Sequence, residues 1–281
     1  MRIELHCHST CSDGSFPADE VAHRAARTGV RIFCLTDHDT CAGFVATRDA
    51  LSDVSCTVLR GLELSCRAFD RTVHVLLYGL QEGEALARLQ ARLDAIHLER
   101  SDRLRAICKR LRTLGIDLDE EAILSRTHGR TPGRPDVARA LVDAGVVKTP
   151  QDAFARFLRD GGPADVPLDR LGVDEGLALA RPAGARASLA HPHTLGDPSL
   201  VRALFERHKS QGLEGLEAYY GGYAWAESEG WLRLAHELDL VATGGSDFHG
   251  EMSPHVTQPG IELPEPHAAR LCDWLGVGPS A

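Results

Sequence analysis

Residues 2–8 read R-I-E-L-H-C-H, a short apolar run that ends in two histidines. Residues 31–39 repeat the arrangement as R-I-F-C-L-T-D-H-D, where an apolar run leads into acidic residues and another histidine. Short runs rich in branched and aromatic side chains predict buried β-strands. Polar side chains placed directly after such strands predict a functional site at one edge of a sheet.

The rest of the chain continues this alternation of strands and helices, with one interruption. Seven predicted strands separated by helical patterns favour a parallel sheet. The interruption, residues 82–165, carries mostly helical patterns and predicts a helical insertion between two parts of one barrel domain, residues 1–81 and 166–281. The predicted strands cover residues 2–5, 31–35, 57–64, 72–78, 186–190, 213–219 and 240–243.

Polar residues at the strand ends favour a closed barrel over an open sheet. In an open doubly wound sheet, residues from both outer strands do not converge on one point, whereas the carboxyl rim of a barrel brings them together. The sequence therefore predicts an α/β barrel with its site at that rim. The residues at or just after predicted strand ends are His6, Asp37, His38, Glu63, His191 and Asp247.

Composition is that of a globular protein, with 43% hydrophobic and 25% charged residues among 281. No apolar run reaches about 18 residues, so we expect no membrane span. The first residues are charged and contain no signal-peptide core, so the expected location is the cytoplasm. None of the eight cysteines forms a C-x-x-C pair, which argues against a structural zinc ribbon.

The charge distribution argues against general binding of duplex nucleic acid. The formal net charge is −9. Residues 92–139 hold 11 basic and 8 acidic residues, a local charge of +3 that leaves −12 elsewhere. Because a long polyanion would be repelled outside this segment, we expect small or short substrates. No isolated apolar patch marks a subunit interface, so the oligomeric state stays open.

Nine side chains are candidate metal ligands. All are nitrogen or oxygen donors, a set that suits Mn²⁺, Zn²⁺ or Fe²⁺. The two histidines of H-C-H are two residues apart, which puts both imidazoles on one side of an extended segment. Glu63 has two carboxylate oxygens and can bridge two ions. The candidates are His6, His8, Asp13, His38, Glu63, His74, His191, Asp247 and His249.

Apart from Asp13, these residues lie in the motifs H-C-H, T-D-H-D, G-L-E, H-V-L-L-Y, A-H-P and G-G-S-D-F-H. The motif order resembles that of the polymerase-and-histidinol-phosphatase (PHP) superfamily, over residues 1–80 and 184–250. The insertion contains G-R-P-D-V-A-R-A-L-V-D-A-G-V-V and then A-F-x-x-F-L. This stretch resembles the subgroup of nucleoside 3′,5′-bisphosphate phosphatases and a related 5′→3′ exoribonuclease.

The resemblance implies a distorted (β/α)₇ barrel, an insertion that caps the site, and two or three divalent metal ions. Mn²⁺ is favoured, with Zn²⁺ or Fe²⁺ as alternatives. Asp37 would orient an imidazole from behind the ligands. The implied ligand sets are His6, His8, Glu63 and Asp247; Glu63, His74 and His191; and Asp13, His38 and His249.

Metal ions a few ångströms apart acidify a shared water and hold phosphate oxygens for in-line attack. The resemblance thus implies a phosphoesterase whose nucleophile is a metal-bound hydroxide. Metals and arginines would stabilise the developing negative charge. The predicted catalytic residues are Glu63, Asp247, His191 and Asp37.

Substrate recognition is predicted to involve the insertion. Arg134 matches the arginine of the subgroup motif and is the predicted phosphate contact, and Arg130 and His193 are further candidates. Two positions depart from the subgroup pattern. Asp136 stands where relatives often carry histidine, and Thr194 lies where a basic residue is common. An aspartate beside a phosphate would repel it, so these departures bear on the substrate rather than on the metal ligands.

The leading interpretation is a phosphatase that removes the 3′-phosphate of a nucleoside 3′,5′-bisphosphate. A 5′→3′ exonuclease acting on short RNA would use the same site, and histidinol-phosphate phosphatase is a third enzymatic alternative. A metal-dependent nucleotide-binding or sensing module is the non-enzymatic alternative. Degenerate relatives usually lose ligands, whereas all nine ligand types are intact here, which favours an enzyme.

Overall fold

The computed structural model describes residues 1–127, 132–168, 171–253 and 255–278. The chain divides into two compact units, Met1–Gln90 with Arg170–Ala281, and Ala91–Asp169. Every described strand lies in the first unit, and the second unit is helical. None of the described helices is both long and apolar enough to cross a membrane.

The first unit contains a curled sheet of nine described strands. The strands are β1 Arg2–Glu4, β2 Ile32–Leu35, β3 Thr57–Ala68, β4 Arg71–Tyr78, β5 Leu171–Gly172, β6 Arg186–Leu189, β7 Leu213–Tyr220, β8 Val241–Gly245 and β9 Ile261–Glu262. Their order is β8-β7-β6-β4-β3-β2-β1-β9, and β5 pairs with β3. The two-residue strands β5 and β9 were not predicted because they are too short to show periodicity.

Ten α-helices are described. They are α1 Ala18–Arg27, α2 Phe44–Ala50, α3 Glu84–Thr113, α4 Glu120–Ser125, α5 Arg134–Asp143, α6 Pro150–Ala153, α7 Val173–Ala180, α8 Pro198–His208, α9 Trp225–Glu237 and α10 Glu265–Leu275. A π-helical turn, Phe154–Leu158, continues α6.

The predicted α/β barrel is confirmed, but one of the seven predicted strands runs opposite to the all-parallel prediction, and the short strand β9 is antiparallel to β1. β4 is antiparallel to both β3 and β6. Ala68 pairs with Arg71 across a two-residue turn, in which Phe69 and Asp70 have φ angles of 51° and 57°. A two-residue connection makes a hairpin, because a parallel crossover needs a dozen or more residues. As a result, the first half of β4 lies at the same rim as the last half of β3.

The chain segments that follow β1 and β8 meet and bring the sheet close to closure. The Asp247 N–H donates to the His6 carbonyl at 2.7 Å, and the His8 N–H donates to the Phe248 carbonyl at 2.9 Å. Gly245 makes this approach possible, since a Cβ there would lie 2.3 Å from the Cβ of His6. The closure sets H-C-H beside S-D-F-H at the carboxyl rim of the parallel strands.

Each unit has its own apolar core. Inside the barrel, Ile3, Leu5, Leu76 and Tyr78 are fully buried and pack in one cluster with residues of β7, β8 and α10. In the second unit, a separate cluster of buried residues extends from Leu104 to Ala164. Burying such side chains stabilises a fold by about 1.5–3 kcal/mol each, so the strands that present the rim residues are firmly held.

Candidate metal centre

The structure brings all nine predicted ligands to one rim of the first unit. Glu63 lies on β3 and His74 on β4, while the others follow the carboxyl ends of β1, β2, β6 and β8. Their donor atoms form four overlapping groups, within each of which all atoms lie within 4.8 Å of one another. The groups are His8, Asp13, His38 and His249; His6, His8 and Asp247; His6, Glu63 and His191; and His38, Glu63 and His74.

The first cluster is a buried set of four donors. Nε2 of His6 lies 3.4 Å from Oε2 of Glu63 and 3.3 Å from Oδ1 of Asp247. Nε2 of His8 lies 3.2 Å from each of the same two oxygens. A tetrahedral ion with bonds of about 2.0–2.1 Å holds its ligand atoms about 3.3–3.4 Å apart. Each of these four nitrogen–oxygen distances is therefore close to the separation of two ligand atoms on one such ion.

The second cluster uses the other oxygen of Glu63. Oε1 lies 2.9 Å from Nδ1 of His74 and 3.0 Å from Nε2 of His191. The two imidazole nitrogens are 3.3 Å apart. Because Oε2 faces the first cluster and Oε1 the second, Glu63 stands between two groups of donors and is placed to bridge them.

The third cluster is more open to solvent. Oδ1 of Asp13 lies 3.3 Å from Nε2 of His249 and 3.6 Å from Nδ1 of His8, and Oδ2 lies 3.7 Å from Nε2 of His38. The side chain of Asp13 is 46% exposed, whereas that of Glu63 is 1% exposed. The wider spacing and greater exposure distinguish this cluster from the two that share Glu63.

Buried atoms that lack partners fit a cation at this rim. Among the described residues, Nε2 of His6, Nε2 of His8, Nδ1 of His38 and Oε2 of Glu63 are buried yet make no hydrogen bond. Buried polar atoms are normally paired, and each unpaired one costs about 1–3 kcal/mol. All four are good ligand atoms for Mn²⁺, Zn²⁺ or Fe²⁺, so the donor set fits divalent ions.

The pKa shifts report strong negative potential in the first two clusters. Burial alone lowers the pKa of His8, but the Asp247, Glu63 and Asp13 carboxylates outweigh burial and raise it to about 10. Burial would raise the pKa values of Glu63 and Asp247, yet the surrounding histidines hold both well below the usual range. A site that stabilises positive charge this strongly attracts cations other than the proton.

Glu217, which the sequence analysis missed, supports two ligands from β7. His6 Nδ1–H donates to Oε1 of Glu217 at 2.8 Å, and the His191 backbone N–H donates to Oε2 at 2.6 Å. The side chain is fully buried. Residues 215–217 read G-L-E, as do residues 61–63. Residues 212–214 also read G-L-E and end in Glu214, whose side chain is 42% exposed, so this motif alone does not identify Glu217.

Glu4 is a second buried carboxylate that was not predicted. It accepts hydrogen bonds from the backbone N–H groups of His6 at 2.9 Å and Ser246 at 3.0 Å, from the Ser246 hydroxyl, and from the Gly260 N–H. Burial raises its pKa, against these hydrogen bonds. Glu4 thereby ties β1 to the segment after β8 directly below the first cluster.

Asp37 supports the ligands less directly than predicted. Its Oδ1 accepts from the Ser9 N–H at 2.7 Å and the Ser12 hydroxyl at 2.6 Å, and Oδ2 accepts from the Ser9 hydroxyl at 2.7 Å. Ser12 in turn lies 3.4 Å from Nδ1 of His8. Asp37 thus holds the loop between His8 and Asp13, and reaches the imidazole through Ser12.

Two ligand positions have unusual backbone conformations. His191 has φ 25° and Asp247 has φ 54°. Left-handed conformations at residues other than glycine cost about 1–3 kcal/mol and persist where the surroundings fix them. At Asp247, the Tyr220 hydroxyl donates to Oδ2 at 2.8 Å, which leaves Oδ1 facing His6 and His8.

The predicted substrate contacts have different surroundings. Arg134, in the second unit, donates to the Leu158 carbonyl at 2.9 Å and to Asp160 at 2.6 Å. Asp136 accepts from the Gly133 N–H at 2.8 Å and so caps the start of α5. Arg130 lies outside the described residues. The phosphate contacts assigned to Arg134 and Arg130 remain predictions.

His193 stands beside the second cluster in an aromatic group. Its ring centre is 6.2 Å from that of His191, 5.3 Å from Tyr220 and 5.2 Å from Tyr223. Nδ1 lies 2.8 Å from the Tyr223 hydroxyl. Burial and the neighbouring His191 lower its pKa, which favours the neutral ring. Thr194 is exposed, and its hydroxyl lies 3.4 Å from Nδ1 of His191 and donates to the His191 carbonyl at 3.0 Å.

The curled barrel and its clustered histidines and carboxylates define a metal-dependent phosphoesterase. The family model described as PHP domain matches residues 4–111. A phosphoribosyl 1,2-cyclic phosphate 1,2-diphosphodiesterase of Eggerthella lenta is 33% identical over 272 residues, which cover 94% of this chain and 100% of the relative. The chain belongs to the PHP family.

Two further relatives carry other phosphoesterase activities. A 5′-3′ exoribonuclease of Haemophilus influenzae is 31% identical, covering 88% of this chain and 90% of the relative. A 3′,5′-nucleoside bisphosphate phosphatase of Chromobacterium violaceum is also 31% identical, covering 88% and 87%. A solved structure of an amidohydrolase from Chromobacterium violaceum, with bound sulfate, superposes with a TM-score of 0.80 at 28% identity, covering 95% of this chain and 96% of that one.

Proposed function

We propose that this protein hydrolyses the 3′-phosphate monoester of a nucleoside 3′,5′-bisphosphate and releases the 5′-monophosphate. The observation that carries the proposal is the placement of Glu63 between two clusters of donor atoms, 2.9–3.4 Å from histidines on either side. The Chromobacterium violaceum relative with this activity supports the choice of substrate.

Two or three divalent ions are proposed, with Mn²⁺ favoured over Zn²⁺ or Fe²⁺. The proposed ligands are His6, His8, Glu63 and Asp247; Glu63, His74 and His191; and Asp13, His38 and His249. When bound, such ions polarise phosphate oxygens and make a water acidic enough to act as nucleophile near neutral pH. Three buried atoms without hydrogen bonds, Nε2 of His6, Nε2 of His8 and Oε2 of Glu63, support the first of these sets.

The protein's own part in catalysis is to fix these donors before substrate binds. Tyr220 restrains one oxygen of Asp247, and Asp37 restrains the loop that carries Asp13. Preorganised donors need no rearrangement when charge develops on the phosphate, which lowers the barrier. Burial of Glu63 and the two histidines of H-C-H excludes competing water from the first cluster.

His193 and its tyrosine neighbours are the proposed substrate contacts on the first unit. The short contact to the Tyr223 hydroxyl is satisfied when that hydroxyl donates to Nδ1, which leaves the ring proton of His193 on Nε2. A neutral N–H donor beside the second cluster suits a phosphate or ribose oxygen. The rings of Tyr220 and Tyr223, 4.9 Å apart, offer faces for a nucleobase.

Two related activities are the alternatives. A 5′→3′ exonuclease on short RNA and a diesterase on phosphoribosyl 1,2-cyclic phosphate are activities of relatives 31% and 33% identical to this chain. In both reactions a nucleophile attacks a phosphorus atom, as in the leading proposal. The reactions differ mainly in the leaving group. The same three clusters can therefore serve all three reactions.

The test is a parallel assay of the three substrate classes. The protein is stripped of metal, reloaded with Mn²⁺, and given adenosine 3′,5′-bisphosphate, 5′-labelled short RNA and phosphoribosyl 1,2-cyclic phosphate. We expect phosphate release chiefly from the bisphosphate, and its loss in Asp247→Ala. Preferential RNA shortening or cyclic-ester opening would replace the leading proposal with that alternative. Metal-loaded protein that cleaves none of the three would refute it.

A further inference from the structure

Glu217 connects the first two donor clusters from below the rim. Its two carboxylate oxygens accept from different chain segments, Oε1 from the His6 ring at 2.8 Å and Oε2 from the His191 backbone at 2.6 Å. The side chain is fully buried on β7. Nothing in the proposed reaction uses Glu217 as a ligand, so its burial beside two proposed ligands needs another explanation.

Both partners of Glu217 are hydrogen-bond donors when the metal centre is formed. Nε2 of His6 faces Glu63 and Asp247, so it must be free of a proton to bind a cation. The proton then lies on Nδ1 and points at Glu217. The His191 backbone N–H is a donor in every state. A residue at position 217 must therefore accept two hydrogen bonds at once.

The bond to His191 acts on a strained backbone. His191 has φ 25° and ψ 64°, and its Nε2 lies 3.0 Å from Oε1 of Glu63. A short hydrogen bond at the backbone N–H holds this conformation and aims the imidazole at the second cluster. Glu217 thus acts on the first cluster through the tautomer of His6 and on the second through the backbone of His191.

We propose that Glu217 is a positioning residue that makes both clusters competent to bind metal ions at the same time. The inference rests on the proposed metal ligands and adds a residue that is not one of them. Glutamine at this position has one acceptor and one donor group. With its oxygen on His191, the amide N–H₂ faces Nδ1 of His6 and forces the proton onto Nε2, which disables the first cluster.

In the opposite orientation, the glutamine oxygen accepts from His6 and the amide N–H₂ opposes the His191 N–H. His6 can then bind a cation, but the backbone that aims His191 is no longer held. Without metal, the first orientation satisfies every donor, because His6 is free to change tautomer. Glu217→Gln should therefore leave no buried donor unpaired in the stripped protein, which should still fold, and should weaken metal binding.

The experiment compares the parent, Glu217→Gln and Glu214→Gln. Glu214 is a half-exposed carboxylate on the same strand that accepts from the Trp274 indole and contacts none of the proposed ligands. Metal per chain is measured after Mn²⁺ loading and dialysis, and melting temperature is measured with and without Mn²⁺. For Glu217→Gln we expect about 10- to 100-fold weaker binding of at least one ion. The Mn²⁺-induced rise in melting temperature should shrink, while the stripped variant still unfolds in one cooperative transition. Glu214→Gln should match the parent.

A ¹⁵N spectrum of the imidazoles supplies a second, independent measurement. The metal-loaded parent should carry the His6 proton on Nδ1, and stripped Glu217→Gln should carry it on Nε2. Equal metal content and an Nδ1 proton in both would overturn the positioning role. A parent that binds no Mn²⁺ would instead overturn the ligand assignment. If Glu217→Gln does not fold, the test uses Glu217→Asp and Glu217→Ala. Aspartate keeps two acceptor oxygens, so Glu217→Asp should retain more bound metal than Glu217→Ala. An equal loss of metal in the two variants would refute the inference.

Discussion

Oε2 of Glu63 lies 3.2 Å from Nε2 of His8, and neither buried atom makes a hydrogen bond. Both atoms face the space that they share with His6 and Asp247. Buried polar atoms without hydrogen bonds destabilise a folded protein. The same atoms are available to bind a cation, so the arrangement favours a cation site. Glu63 is accordingly the residue on which the proposed centre depends most.

Glu63→Gln should abolish activity while leaving the barrel folded. Glutamine has one oxygen where Glu63 has two, so one of the two clusters loses its shared ligand and the negative charge disappears. We expect kcat/KM to fall by at least about 100-fold and bound Mn²⁺ to decrease by at least one ion per chain. Metal analysis and phosphate release on the same sample measure both effects.

The matched control for this prediction is Glu229→Gln, which alters a glutamate whose side chain is 55% exposed on α9. It should retain parental metal content and activity. Full activity in Glu63→Gln would contradict the bridging role, whatever the metal content of that variant.

The stripped protein should lose stability as the pH rises above neutrality. In the folded chain, the pKa of His8 is raised to about 10, because neighbouring carboxylates outweigh burial. The pKa of His6 is raised as well, against burial, chiefly by Glu217 and Asp247. In the unfolded chain a histidine titrates near about 6.5. Stabilisation by these protons is complete below that pH and is lost as the pH rises through the folded pKa values.

Urea unfolding at about pH 6.5, 8 and 9.5, in the presence of a chelator, measures this effect between the pKa of an unfolded histidine and the raised pKa of His8. Divalent ions replace the protons and bind better as the pH rises. The difference in free energy of unfolding between metal-loaded and stripped protein should therefore increase with pH. A stripped protein that is more stable at the highest pH than at the lowest would contradict the expected sign.

Sequence patterns predicted the barrel and the residues at its rim for a physical reason. His6, His38, His191 and Asp247 follow apolar strands directly, and parallel strands in a barrel present their carboxyl ends together. His74 was identified by its motif, but its route to the rim was not foreseen, because it reaches the rim from the first half of an antiparallel strand. The hairpin at Phe69 and Asp70 lacks glycine, so its turn signal is weak.

Residues behind the rim were not predicted because their role depends on partners far along the chain. Glu217 is separated by 211 residues from His6 and by 26 from His191, and Glu4 is separated by 242 from Ser246. Both glutamates belong to strands, and in the sequence each is only a charged residue that interrupts an apolar run. Only the closed barrel shows that each has several hydrogen-bond donors around it.

Asp37→Ala should destabilise the loop that carries Asp13. The substitution leaves a backbone N–H and two hydroxyl groups without the acceptor they share, at a site that is almost fully buried. We expect the free energy of unfolding of stripped protein to fall by about 1–3 kcal/mol. The free energy of unfolding should fall less in Asp37→Asn, because the serine hydroxyls can rotate to accept from the asparagine amide.

Chemical denaturation measures the effect, with Asp49→Ala as control, since that side chain is 63% exposed. The free energy of unfolding of the control should stay within about 0.5 kcal/mol of the parental value. Equal stability of Asp37→Ala and Asp49→Ala would show that the Ser9 and Ser12 bonds do not support the loop.

Tyr223→Phe tests whether His193 contacts the substrate. The Tyr223 hydroxyl lies 2.8 Å from Nδ1 of His193, and its removal frees the ring to turn and to place its proton on either nitrogen. A hydrogen bond is worth about 1 kcal/mol, so KM for the bisphosphate should rise several-fold while kcat changes little.

Tyr219→Phe is the matched control, because Tyr219 makes the same kind of bond to His267 at 2.7 Å, outside the proposed ligands and substrate contacts. If both variants keep the parental KM, His193 does not bind substrate and the aromatic group serves packing alone. If kcat falls as much as KM rises, His193 acts on the transition state rather than on substrate binding.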